Sequence, residues 1–272
     1  VDRGESHPAS PILTIAGLHV LDDRGNEVVR GVDLEIRAGE ILGIAGVAGN
    51  GQDELVESLI GLRKAASGTI RLADRDVTGE TPRQMNELGV GYVPADRQRF
   101  GLVLSFPLYD NLILTSYYRA PYARRGLRHD AAILADADRS VAAFDIRTPS
   151  AAARAGTLSG GNQQKVVVAR EFDRDLRLLV LDQPTRGLDV GSIEFIHRRI
   201  IEKRDAGTAV LLVSAELDEV LEMSDRISVM YRGELVATVD GRTADKNEVG
   251  LLMATGGRAP SNEAVETAGG AA

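Results

Sequence analysis

Glycine-spaced loops set between an apolar run and a helix-forming run suit phosphate, because bare backbone N–H groups converge at the helix N-terminus. The 272-residue sequence holds such a string at 46–53, Gly46-Val-Ala-Gly49-Asn50-Gly51-Gln52-Asp53. Its glycine spacing is that of G-x-x-x-x-G-K-[ST], in which the lysine meets the terminal phosphates and the hydroxyl holds magnesium. Here Gln52 stands at the lysine position and Asp53 at the hydroxyl position. Gln52 can donate a hydrogen bond but carries no charge. Asp53 repels a triphosphate unless a cation lies between them; unit charges ~4 Å apart interact by ~1 kcal/mol in water and ~4 kcal/mol near a protein surface. Asp53 and Glu54 can also complement the first-turn N–H groups and the helix dipole themselves. The spacing therefore predicts a phosphate loop that binds nucleotide weakly or not at all in isolation.

The most specific string is LSGGNQQK at 158–165. Ser159 is suited to cap the next helix, expected over 163–172, and Gly160 and Gly161 open backbone N–H groups toward an anion. A capped helix start without a ligand is the bland alternative. The next residues argue against it: the apolar run 178–181 ends in Asp182, then Gln183-Pro184-Thr185-Arg186-Gly187-Leu188-Asp189. An apolar strand ending in Asp182 is how a magnesium-ordering carboxylate is presented at a sheet edge.

These strings need a scaffold, and the sequence supplies one. Strand-like runs at 12–16, 32–36, 41–45, 90–93, 178–181, 209–213 and 227–231, most of them short and continuously apolar, predict strands buried on both faces of a mostly parallel sheet. Helical patterns alternate with them, at 53–62 with Leu55, Leu59 and Leu62, and at 192–206 with Ile193, Ile196 and Ile200. The alternation predicts an α/β fold. The stretch 102–157, with Pro107, Pro121, Pro149 and an alanine-rich run, reads as a mainly helical insertion. Residues 1–11 read as a polar lead-in and 256–272 as a disordered tail. The sequence begins at Val1, which reads as a chain trimmed from a longer one, and no signal peptide is expected.

Composition narrows the chemistry. Asp plus Glu number 40 against 32 Lys plus Arg, a formal charge of −8, which argues against nucleic acid or anionic lipid as the main partner. Cysteine is absent, excluding disulfides, thiolate metal sites and cysteine nucleophiles. His7, His19, His129 and His197 show no metal-ligand spacing.

Together the strings resemble the ATP-binding subunits of ABC transporters over essentially all of 12–255. LSGGNQQK resembles that family's signature, Asp182 its Walker-B aspartate and 187–189 its D-loop. Residues 90–96 (VGYVPAD) resemble the Q-loop region and 212–216 (LVSAE) the switch segment. More narrowly, LSGGNQQK, QPTRGLDVG and VPADRQRFGL resemble the second half of the duplicated ATPases that serve sugar and nucleoside importers. Gln183 and the run 193–197 lean toward the nucleoside branch. The resemblance implies a P-loop NTPase core with a mostly parallel sheet, an antiparallel β part near the N-terminus and a helical subdomain at about 102–172. It implies ATP and magnesium as cofactors, with Asp182 as the metal ligand. The implied partners are a second ABC ATPase domain, expected as the N-terminal half of the same chain, and membrane permease subunits. The implied location is the cytoplasmic face of the cell membrane, as a peripheral protein.

The departures from the family pattern cluster. Besides Gln52 and Asp53, Gln183 replaces the water-polarising glutamate; glutamine orients water but is no base. Ala215 replaces the switch histidine, and the Q-loop glutamine falls at Ala95, with Asp96 or Gln98 as partial substitutes. No aromatic lies near Leu21 and Asp22, where the family stacks adenine. The signature residues Ser159, Gly160, Gly161 and Asn162, with Asp189, are intact. In the family each nucleotide sits between the P-loop of one unit and the signature of the other. The pattern therefore predicts a domain with a degenerate nucleotide site that lends its signature to a partner's site. Alternative readings are a non-catalytic structural or regulatory module of the same fold, and a soluble ABC protein acting on nucleic acid, which the acidic balance disfavours. Beyond the Q-loop region, Phe100, Leu102, Leu104, Phe106 and Tyr109 read as permease contacts or, for most of them, as subdomain core. Arg97 and Arg99 read more plainly as surface charge than as phosphate contacts. Arg124, Arg125, Arg128 and His129 read as a solvated basic cluster.

Overall fold

The computed structural model describes residues 3–257. The chain opens with strands β1 (Pro11–Leu21), β2 (Glu27–Arg37) and β3 (Ile41–Ala45), then the glycine loop and helix α1 (Gln52–Leu59). Strands β4 (Ser67–Leu72) and β5 (Arg75–Asp76), helix α2 (Pro82–Glu87) and strand β6 (Val90–Val93) come next. A π-helical turn at Arg97–Gly101 leads to α3 (Leu108–Leu112), a small hairpin of β7 (Ala123–Arg124) and β8 (Leu127–Arg128), α4 (Asp130–Ala143) and α5 (Gly160–Phe172). Then come β9 (Leu178–Asp182), α6 (Val190–Asp205), β10 (Ala209–Ser214) and α7 (Leu217–Met223). The described chain closes with β11 (Arg226–Tyr231), β12 (Glu234–Asp240) and α8 (Lys246–Thr255).

Two main sheets form. The N-terminal one is antiparallel, in the order β2-β1-β4-β5. The larger runs β12-β11-β3-β10-β9-β6 and is parallel except at its β11–β12 edge. The apolar strands of the larger sheet are buried on both faces, and period-2 alternation divides their side chains. Leu42, Ile44, Leu178, Val180, Leu211 and Val213 pack toward α1 and the antiparallel sheet. Ile41, Leu179, Leu181, Val210 and Leu212 pack on the other face with residues of α5 and α6. Each such fully buried side chain contributes roughly 1.5–3 kcal/mol. The chain is thus an α/β core with an antiparallel β part and helical elements.

Register determines what meets at the sheet's C-terminal edge. Ser214 pairs with Ala45, Val213 with Asp182, and Val93 with Leu181. The loop after β3, Asp182, Pro94-Ala95 and Ser214-Ala215 therefore emerge side by side, where ligands of parallel α/β sheets bind.

Several elements differ from their expected bounds. The helix after the glycine loop ends at Leu59, because Gly61 takes a left-handed φ of 78°. The signature helix starts at Gly160, three residues earlier than expected. Residues 3–10 are laid on the core rather than trailing from it: the Arg3 guanidinium donates to the carbonyls of Leu221 and Ser224, and Ala9 N–H to Ala38. Gly256 closes α8, whereas 258–272, most of the expected tail, lie outside the described residues.

Candidate functional site

The glycine loop is closed by its own side chain. Gln52 is buried; its Oε1 accepts from Asn50 N–H at 3.1 Å and its Nε2 donates to the Val47 carbonyl at 3.2 Å. A Cβ at Gly46 would lie 2.4 Å from Gln52 Nε2, so the glutamine amide fills the hollow of the loop. Asp53 and Glu54 lie in the first turn of α1, where their charges complement the helix dipole, while Gln52 satisfies the backbone of the loop. Asn50 is held from outside, its Oδ1 accepting from Arg232 N–H at 2.8 Å and its carbonyl from Gly233 N–H at 2.9 Å. Gly51, at φ 101°, passes under Val28, where any Cβ would stand 2.2 Å from the carbonyl oxygen. Gly49, at φ 87°, is exposed with open space around its Cα.

Beside the loop lies a cleft of about 130 Å³, lined among others by Gly46, Gln52, Asp53, Ala95, Gln183 and Ala215. Clefts that bury a drug-sized ligand run to roughly 300–1,000 Å³. Gln183 stands in the left-handed region at φ 48°, its N–H tied to the Val213 carbonyl at 2.8 Å. Ala215 is exposed and offers no polar atom beyond its backbone. Neither substitute expected for the Q-loop glutamine reaches this cleft: Asp96 caps the π-helical turn through Gln98 and Arg99 N–H, and Gln98 Nε2 donates to Gln163 Oε1 at 2.9 Å. Near Leu21, where the sequence places no aromatic for an adenine to stack on, Asp22 is engaged by Asn26 in the turn after β1.

Asp182, at the end of β9, is 7% exposed, and its Oδ1 is buried without a hydrogen-bond partner. Burial first, and then the Asp53 charge, push its carboxyl up to about 7. A nucleotide and magnesium are the groups the motifs imply. Two neighbouring carboxylates and an unspent oxygen suit a hard divalent cation, which keeps several waters and needs few protein ligands. Gln52 occupies the hollow of the loop, and the cation among the residues lining the cleft is Arg186 rather than a lysine.

The second group of residues gathers at the start of α5. Ser159 is its N-cap; its Oγ accepts from Asn162 N–H at 3.4 Å and from Asn162 Nδ2 at 2.9 Å, leaving the hydroxyl proton free to donate. Asn162 Oδ1 in turn accepts from Arg147 N–H at 2.8 Å. Gly161 lies against the start of α6, where a Cβ would meet Ser192 Oγ at 2.5 Å and Asp189 Oδ2 at 3.1 Å. Asp189 caps α6, accepting from Ser192 N–H at 3.0 Å and Ser192 Oγ at 2.7 Å, and these bonds hold its carboxyl below the usual range. Ser159 and Asp189 are exposed. Thus Gly46, Gln52, Asp53, Gln183 and Ala215 share the cleft, and Ser159, Gly160, Gly161, Asn162 and Asp189 share a separate surface.

Sequence reasoning missed three partners of these groups. Arg97 packs on Gly160. The Arg232-Gly233 turn braces Asn50. Glu219 gathers Thr185 Oγ1 at 2.7 Å and His197 Nε2 at 2.9 Å beneath the switch segment. Only the last left a trace in the sequence, a histidine and a glutamate on helices flanking β10.

Comparison with known proteins completes the assignment. Residues 29–186 match the family model described as ABC transporter. The guanosine import ATP-binding protein NupO of Bacillus subtilis is 48% identical over 253 residues, covering 93% of this chain and 50% of that protein. The nucleoside import ATP-binding protein NupA of Lactococcus lactis is 45% identical over 255 residues, covering 94% of this chain and 50% of the relative. The chain thus spans about half the length of the curated relatives it matches. A crystal structure of a nucleotide-free ATP-binding cassette from an ABC transporter superposes with a TM-score of 0.73 at 21% identity, over 88% of this chain and 94% of that one, a likeness of fold. With the glycine loop and Asp182 at one sheet edge, the signature string at the start of α5, and a family match over more than half its length, the chain belongs to the ABC transporter ATP-binding family.

Proposed function

We propose that this domain is the signature-lending half of an ATPase pair in an importer for nucleosides or simple sugars. It is the second of two ATPase domains in one polypeptide, its own phosphate loop binds nucleotide weakly or statically, and hydrolysis occurs at the partner's loop. The observation that carries this reading is the contrast at the two glycine strings. Gln52 spends its amide inside its own loop, whereas Ser159 keeps a free donor at an exposed helix start. Relatives about twice this chain's length support the two-domain arrangement, and their names support nucleosides as cargo.

The permease partner is supported by a groove of about 530 Å³ lined among others by Pro82, Tyr92, Phe100, Leu114, Tyr117 and Tyr118. Phe100 is 64% exposed there, whereas Leu102 is buried and Leu104 and Tyr109 pack on the core. An apolar groove with aromatic walls suits a short helix laid into it. No helix among the described residues is long and apolar enough to cross a membrane. The attachment proposed, by likeness to the import ATP-binding relatives, is peripheral, at the cytoplasmic face.

The test compares ATP turnover by the chain alone with turnover after it is joined to a nucleotide-competent ATPase domain. The expected result is background turnover alone and a rise of at least tenfold on joining. Magnesium-dependent turnover by the chain alone at the joined rate would overturn the reading.

A further inference from the structure

We infer that Arg97 is a positioning residue for the lent half-site, tying the permease-side groove to the signature and the D-loop. The inference rests on the lending role proposed above. Arg97 opens the π-helical turn Arg97–Gly101, which Asp96 caps through two backbone N–H groups at 3.0 Å each. Its guanidinium lies on Gly160, where a Cβ would stand 2.6 Å from one terminal nitrogen. The other terminal nitrogen donates to the Arg186 carbonyl at 3.2 Å, three residues before Asp189. Its Nε is buried without a partner.

The rest of the turn is fastened to the same helix. Gln98 donates to Gln163 of α5, and the Gly101 carbonyl accepts from Arg170 of α5 at 2.7 Å. Phe100, in the middle of the turn, is the exposed aromatic of the groove. The turn therefore spans from an exposed apolar contact at Phe100 to a cation seated on the signature glycine. A body in the groove that displaces Phe100 displaces Arg97 with it, and Arg97 acts on Gly160 and on the chain leading to Asp189.

The geometry explains why arginine stands here. A planar fork reaches a carbonyl with one terminal nitrogen while the other rests against a glycine, whereas a lysine is a single point donor. It also explains Gly160: any side chain there would drive the guanidinium off.

The assay is ATP turnover by the complete two-domain ATPase with its permease, with Arg97→Ala, Arg97→Lys, Arg99→Ala and Ser159→Arg compared. Arg99 sits in the same turn, with its guanidinium over the Phe100 ring. Arg97→Ala is expected to lower kcat at least tenfold with KM for ATP changed less than twofold, because the nucleotide is held by the partner's loop. Arg97→Lys recovers part of kcat, and Arg99→Ala stays within twofold of the parent. Unchanged kcat in Arg97→Ala, alongside an inactive Ser159→Arg, overturns the Arg97 inference and leaves the lending role intact. An active Ser159→Arg overturns both. A loss in Arg97→Ala matched by an equal fall in thermal midpoint, with no recovery in Arg97→Lys, reduces Arg97 to a structural role and also overturns the inference.

Discussion

Asp182 offers a prediction whose size is set by its surroundings. Burial and the Asp53 charge raise its carboxyl from 3.8 to about 7. A raised carboxyl favours the protonated fold, so this contribution is present below the ordinary carboxylate range and is lost as pH climbs toward 7. Each unit is worth ~1.4 kcal/mol. Between pH 5 and pH 8 the native protein gives up about two units, or roughly 3 kcal/mol. Asp182→Asn cannot ionise and keeps that stability. Since ~1 kcal/mol moves the midpoint of a chain near this size by roughly 2–4 °C, the variant should gain about 5–10 °C on the parent between pH 5 and pH 8. Scanning calorimetry of both proteins at both pH values reads the change, and titrating groups that do not interact with Asp182 cancel in the comparison. Millimolar magnesium at pH 8 should restore part of the parent's loss and leave Asp182→Asn unmoved. An offset between the proteins that is the same at pH 5 and pH 8 would refute the buried-acid argument.

Buried contacts elsewhere lead to two more expected outcomes. Gly51→Ala should cost more than Gly49→Ala: both positions have positive φ, roughly 1–2 kcal/mol for alanine, but only at Gly51 does the new Cβ strike a backbone oxygen. Midpoints of the two variants give the order directly, and equal losses would contradict the close approach to Val28. His197→Ala should cost about 3 kcal/mol, because it removes the His197 partner of the buried Glu219, leaving Thr185 and Ser214 to hold a carboxylate whose Oε2 already lacks a partner. Burial pushes the Glu219 carboxyl up, but bonds from His197, Ser214 and Thr185 outweigh it and hold it below its ordinary value. The stability it contributes is therefore present above about pH 4.5 and fades as pH falls further. Urea titration of His197→Ala against His197→Gln, which keeps a donor, should show the larger loss in the alanine variant at pH 7.

The strands of the parallel sheet were legible because burial on both faces makes them continuously apolar, as in 178–181 and 209–213. Strands with one open face were legible only in part, at 12–16 within β1 and 32–36 within β2, and not at β4 or β12. In β4 only Ile70 and Leu72 point inward along SGTIRL, and β12, ELVATVD, has no fully buried residue. Helix α2 carried a readable start, Thr81 with Pro82 and a capping box to Gln84, but its short body shows little periodicity. The candidate site divides in the same way. Glycine spacing, the Ser159 cap and the strand-end Asp182 are local features that residue types announce. The use of Gln52 as a plug, rather than as a weakened phosphate ligand, depends on a rotamer. The seat of Arg97 on Gly160 joins residues 63 positions apart and has no local signature.

The central claim is that Ser159 serves a nucleotide held elsewhere while Gln52 serves none. Steady-state phosphate release by the assembled two-domain ATPase, measured for Ser159→Arg and for Gln52→Ala side by side, tests it most directly. The account predicts release near background for the serine variant and within about twofold of the parent for the glutamine variant. The reverse order, an active serine variant beside a silent glutamine variant, would contradict it.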